Sequence, residues 1–177
     1  MKDKRQQMAI LQRKRGELVK ALKESLAEFT RLGIKAGVYV PEGKDNVAYL
    51  LVNETDIGKF FTRRVRRYLR DVDKNIDVKS TFEEDTLVTK VIGKAEIDEQ
   101  SISESVNRAK EDLTKIGIRA EIYVEHKEAT ETYLVIDMDS VVTYFEKICK
   151  EVIRKKKIKV EVVCYRENQV VVVRIRK

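Results

Sequence analysis

The chain has 177 residues, of which 42% are hydrophobic, enough to bury the core of one ordinary domain or of two small ones. Charged residues make up 38%, with seven Gly and one Pro, a Lys/Glu-rich, loop-poor composition of the kind expected of proteins from hot environments. No apolar run reaches the ~18 residues of a membrane-spanning helix, and Met1-Lys2-Asp3-Lys4-Arg5 opens on a polar stretch rather than a signal-peptide core. A cytoplasmic protein without membrane contact is expected.

The net charge of +7 is unevenly spread along the chain. Residues 1–20 hold seven Lys/Arg against two acids, residues 59–74 seven against two, and residues 147–159 seven against one, leaving the rest of the chain net acidic. Segregation of this kind points to an anionic partner.

In chain order, residues 1–15 read as a basic helical extension, with Met8 and Leu11 in phase with the helix that follows and Arg13, Lys14 and Arg15 near its end. It reads as a basic arm for nucleic acid, a helix that pairs with another subunit, or a frayed end. Leu18, Leu22, Leu26, Phe29 and Leu32 then recur at spacings of three and four, which predicts a helix closing at Gly33 in the left-handed position. Ile34–Val40 and Ala48–Val52 are β-branched and aromatic runs around a polar turn that contains Pro41 and Gly43, a hairpin. Asp56 is the expected N-cap of a second helix that carries Ile57, Phe60, Phe61, Val65 and Leu69 at helical spacing. A second hairpin follows, Ile76–Phe82 with Leu87–Ile92.

The same order then returns. Shifted by 84 residues, Glu28–Ala36 falls on Asp112–Ala120 with an identical or similar residue at every position, and Tyr39, Tyr49, Phe61 and Arg70 fall on Tyr123, Tyr133, Phe145 and Arg154. The second half therefore predicts a helix ending at Gly117, a hairpin, a helix capped by Ser140, and a last hairpin of Ile158–Cys164 with Val170–Ile175. The expected fold is α+β: a tandem duplication of an αββαββ unit, with repeat 1 over residues 16–93 and repeat 2 over 94–177, packed as one pseudo-two-fold unit. An αββαββ string is a circular permutation of the ferredoxin-like βαββαβ, whose helices cover one face of a four-stranded antiparallel sheet. Residues 86–165 read in the ordinary ferredoxin-like order, so that the first lobe would take its leading strand from Val170–Ile175. The alternative keeps each copy self-contained.

Catalytic constellations are absent from the pattern. His126 falls in an expected turn, and Asp137-Met138-Asp139 precedes a helix where caps belong. Glu83-Glu84-Asp85 marks a hairpin tip. Cys149 and Cys164 lie in apolar patterns as buried thiols. Without nucleotide loops, a nucleophile elbow or zinc spacing, no catalytic residue, metal or cofactor is expected.

The cations carry more information. Lys59, Arg63, Arg66, Arg67 and Arg70 lie opposite the apolar stripe of one helix, and Lys147, Lys150, Arg154 and Lys157 do so on its counterpart. Arginine binds phosphate in two-point fashion, so these faces are candidate nucleic-acid contacts. Strand parity puts Tyr39 and Tyr123 on the sheet face away from the helices, joined by Tyr49 and Tyr133 if the hairpins pair in register. Such tyrosines among Lys and Arg on an open ferredoxin-like sheet resemble the base-stacking platforms of RNA-recognition domains, although their consensus strands are absent. The expected function is non-enzymatic nucleic-acid binding through basic helix faces. An assembly module that forms a homodimer, with its apolar sheet face buried, is the alternative, and an enzyme with a pocket between repeats the third.

Overall fold

The computed structural model describes residues 4–72, 76–93, 99–126 and 130–177, with side chains from Arg15 onward. Among the described residues, four helices and eight strands follow one another as αββ four times: α1 (Lys4–Arg31), β1 (Gly37–Tyr39), β2 (Val47–Asn53), α2 (Glu54–Leu69), β3 (Asp77–Glu83), β4 (Thr86–Ile92), α3 (Glu99–Lys115), β5 (Ala120–His126), β6 (Thr130–Asp137), α4 (Met138–Lys155), β7 (Glu161–Glu167) and β8 (Val170–Arg176). The fold is α+β of the ferredoxin-like type, with two antiparallel four-stranded sheets. Among the described residues no helix is long and apolar enough to cross a membrane.

The chain divides into two units. The first, residues 1–53 with 145–177, holds sheet A in the order β1-β2-β8-β7. Here α1 packs on β2 and β8, and the Phe29 and Phe145 rings of α1 and α4 meet edge to face at 5.1 Å and 88°. The second, residues 54–144, holds sheet B in the order β3-β4-β6-β5, with α2 against β3 and β4 and α3 against β5 and β6. Each core lies between helices and sheet: Leu50, Val52, Val171, Val173 and Ile175 in the first, Leu87, Val91, Leu134 and Ile136 in the second, all fully buried.

The pairing of β2 with β8 over seven rungs joins the two halves of the chain in one sheet, so neither half is self-contained. The edges differ from the ordinary ferredoxin-like order, which would set β7 beside β4. Instead β3 stays with β4 and β7 with β8, each in full seven-residue register. Two-residue turns favour it: Glu84-Asp85 and Asn168-Gln169 link the strands, with Glu84 at φ 50° and Asn168 at φ 54°, so closing each hairpin costs less chain entropy than a longer crossover.

Three local expectations are corrected. Strand β1 starts at Gly37, not Ile34, because the Ile34 N–H is drawn back to Phe29 O at 2.9 Å to close α1. Helix α2 starts at Glu54, so Asp56 lies inside its first turn rather than at the cap. Helix α4 starts at Met138, where the Asp137 carboxylate accepts the Asp139 N–H at 3.3 Å, while Ser140 Oγ accepts the Arg119 N–H and donates to Asp137 O.

Candidate nucleic-acid interface

Helix α2 is anchored by what its sequence buries. Ile57, Phe60, Phe61, Val65 and Leu69 face the core. Gly58 brings the helix close to β3: a Cβ there would touch Ser80 Cβ at 3.5 Å and Phe82 at 3.6 Å. Across this approach runs a chain of hydroxyls, Thr62 Oγ1 to Ser80 Oγ at 2.6 Å and Ser80 Oγ to Thr89 Oγ1 at 2.9 Å, ending on a fully buried residue. A helix held by packing and satisfied polar groups presents its outer face in one orientation.

That outer face carries Lys59, Arg63, Arg66 and Arg67, with Arg70 in the turn just past the helix end, all exposed. The acids of α2, Glu54 and Asp56, are confined to its first turn, where they complement the helix dipole. From Ile57 to Leu69 there is none. At 1.5 Å per residue the cations span roughly 16 Å along the axis. They are not all equally available: the Arg66 guanidinium donates to Val78 O at 3.3 Å, and Arg64 lies over the Phe60 ring at 5.3 Å.

On α4, Lys147, Lys150 and Arg154 are exposed, but acids alternate with them and Lys150 Nζ is 2.5 Å from the Glu146 carboxylate. Lys157 lies past the helix end in the left-handed region, φ 54°. Arg15 is exposed on α1; Arg13 and Lys14 lie within the span of α1, and their side chains are outside the described residues.

The tyrosines pair in register: Tyr39 with Tyr49, and Tyr123 with Tyr133. Extended across each sheet, the rungs read Tyr39, Tyr49, Arg174, Val163 in sheet A and Tyr123, Tyr133, Lys90, Lys79 in sheet B. Tyr39 and Tyr123 are 54% and 55% exposed. Their surroundings differ. The Tyr123 hydroxyl donates to Glu121 at 2.7 Å, and that of Tyr133 to Glu125 at 3.0 Å and to Glu131. The Glu121 hydrogen bond and charge push the Tyr123 phenol up, and the hydrogen bond to Glu131, then burial and Glu125, push that of Tyr133 up. Arg174 and Tyr165 are the members of this surface that the sequence reading missed, because their neighbours depend on the register of the strands in sheet A.

His126 and Arg119 have structural partners. His126 ends β5 rather than lying in the turn, with Nδ1 3.5 Å from Glu99. Arg119 Nε donates to Asp137 at 2.9 Å along a groove that also includes Gly117 and Val135. Among the described residues no group of three His, Cys, Asp or Glu side chains could hold a metal ion. No protein-family model matches the chain, and no curated protein is significantly similar to it.

Proposed function

We propose that the protein binds nucleic acid through phosphate contacts from the outer face of α2 and performs no chemistry on it. The observation that carries this reading is the acid-free stripe of Lys59, Arg63, Arg66 and Arg67, continued by Arg70 just past the helix end, all solvent-exposed on a helix whose orientation is fixed by packing. Exposed like charges on one helix face repel one another and contribute nothing to stability, whereas a polyanion turns the same stripe into an attractive surface through counterion release. Arginine predominates, and its planar fork suits paired phosphate oxygens. The exposed basic residues Lys147, Lys150 and Arg154 of α4, with Lys157 just past its end, form a second and weaker candidate, interrupted by Glu146 and Glu151.

The test is titration of labelled single-stranded RNA, single-stranded DNA and duplex DNA at two salt concentrations, with wild-type protein and with Arg63, Arg66, Arg67 and Arg70 all changed to Ala. Salt-sensitive binding that falls in the variant supports the reading, and the preferred ligand names the class. Absence of binding to all three at low salt refutes it.

A second reading, self-association, is favoured by the edge strand β1, where Val38 is 49% exposed beside Tyr39 and Val40, just past the strand, equally so. An apolar edge without a charge along it invites another strand. A mass that rises with concentration in sedimentation equilibrium supports this reading, and a monomer at all concentrations refutes it.

A further inference from the structure

We infer that the open face of sheet A is a stacking platform for unpaired bases, and that the matching face of sheet B is not. This rests on the nucleic-acid reading above and adds to it a second contact and a ligand class, single-stranded nucleic acid.

Two adjacent rungs define the platform. In the first, the Tyr39 and Tyr49 rings lie 6.0 Å apart, tilted by 36°, with Arg174 directly across from Tyr49. In the second, Gly37, Leu51, Val172 and Tyr165 follow one another. Gly37 has no side chain, so Leu51 stays 37% exposed in a shallow gap beside Tyr39. The surface thus offers aromatic rings, an apolar floor and one central guanidinium. Glu161 and Glu167 stand only at the two ends of β7, outside these rungs. Base stacking requires ring faces that water does not need to keep, with a cation near enough to hold the backbone between bases.

Sheet B has the same aromatic pair in the opposite electrostatic setting. Glu121, Glu125 and Glu131 surround Tyr123 and Tyr133 and take up their hydroxyls, while Lys90 is held by Glu131 at 3.0 Å and lies 5.8 Å over the Tyr133 ring. A phosphodiester brought to those rings meets carboxylates and a cation already neutralised. Charge also decides against a second copy as the occupant of the sheet A face. Two such faces related by a two-fold axis would set Arg174 against a surface whose central rungs hold no carboxylate.

The experiment uses a single-stranded dT12 and an abasic 12-mer with the same backbone charge, titrated by anisotropy. The protein contains no Trp, so quenching of its tyrosine emission is a second readout. The variants are Tyr39→Ala, Tyr39→Phe, Tyr123→Ala and the four-arginine α2 variant. The expected result is that wild type binds dT12 more tightly than the abasic strand, and that Tyr39→Ala removes about tenfold of the dT12 affinity. Tyr39→Ala should leave abasic binding unchanged, Tyr39→Phe should retain dT12 binding, and Tyr123→Ala should alter neither. Equal affinity for dT12 and the abasic strand, or dT12 affinity unaffected by Tyr39→Ala, overturns the inference; if abasic binding is still lost in the α2 variant, the backbone reading stands alone. A fall in sedimentation mass for Tyr39→Ala, without change in dT12 affinity, assigns the face to self-association and overturns it too.

Discussion

The carboxylate of Glu146 on α4 accepts a hydrogen bond from the backbone N–H of Cys164 on β7 at 2.9 Å. Strand β7 is an edge of sheet A, and the helix side chain supplies there an acceptor that a further strand would otherwise provide. Glu146 also holds Lys150 Nζ at 2.5 Å. Burial pushes the Glu146 carboxyl up, but Lys150 and the Cys164 N–H outweigh it, and its pKa lies below the ordinary value.

Removing this acceptor destabilises the first unit. Glu146→Ala is expected to cost about 1–2 kcal/mol in urea unfolding, and Glu146→Gln, which keeps a neutral acceptor, less. A group whose pKa is lower in the folded state contributes stability above its unfolded pKa, near ~4.3 for Glu, and loses that contribution as pH falls through the folded value. The stability gap between wild type and Glu146→Gln therefore narrows below about pH 4. A gap independent of pH between 3 and 7 would show that the charge of Glu146 plays no part.

Three helices end on one motif. After α1, α3 and α4, the N–H groups of Ile34, Ile118 and Ile158 reach back to Phe29, Leu113 and Ile153 at 2.9, 2.9 and 3.1 Å. The residue before each lies at positive φ: Gly33 at 74°, Gly117 at 86° and Lys157 at 54°. Lysine pays the steric cost that glycine avoids. Lys157→Gly is expected to raise stability by up to about 1 kcal/mol and Tm by about 2–4 °C, with Gly33→Ala and Gly117→Ala each lowering it by about 1 kcal/mol. Calorimetry on the three variants checks the sign at each position.

Those glycines show where the sequence was informative. Gly33 and Gly117 announce left-handed caps because little else adopts that conformation freely, whereas Lys157 does the same work with no local signal. The hairpins were legible from β-branched runs, and alternation put Tyr39 and Tyr49 on one face on condition that the hairpin pairs in register, which it does. The order of strands was legible only in part: the hairpins that set β3 beside β4 and β7 beside β8 were expected, but the same apolar pattern also allows the crossover that would set β7 beside β4. The exposed cations of α2 could be read as the complement of its buried stripe, but, although the expected order lends Val170–Ile175 to the first lobe, Arg174 could not be placed across from Tyr49 until the register of β8 on β2 was known. Nor does charge counting show that Arg64 is folded onto Phe60.

The two cysteines are buried and free. Desolvation, with Glu28 and Glu146 nearby, pushes the Cys149 thiol up to about 12 against the smaller opposing effect of Ser25, and desolvation followed by the Cys149 and Glu146 charges raises Cys164 as well. Both are therefore expected to resist a disulfide reagent at pH 8 in the native state and to react only as the unit opens, at a rate that rises with urea. Since folding raises these pKa values, the associated stability is complete below the unfolded thiol pKa, near ~8.5, and declines as pH climbs from there toward the folded values. Rapid native-state labelling of either thiol would contradict this burial.

The cations of α2 should separate by what each already touches. Arg67 and Arg70 are exposed and point away from the buried stripe, so each change to Ala should reduce the salt slope of duplex binding by about 0.9, or about 0.7 for a single strand. Arg64 is half-buried with its guanidinium over the Phe60 ring. Its removal should leave the salt slope nearly unchanged and instead cost about 0.5–1 kcal/mol of stability through the lost cation–π contact. Arg66 falls between, because a guanidinium that donates to Val78 O must give up or share that bond to reach a phosphate. The order of slope changes, Arg67 and Arg70 above Arg66 above Arg64, is specific to binding by this helix face. A uniform loss across all four would mean that only total charge matters and that the geometry of α2 does not.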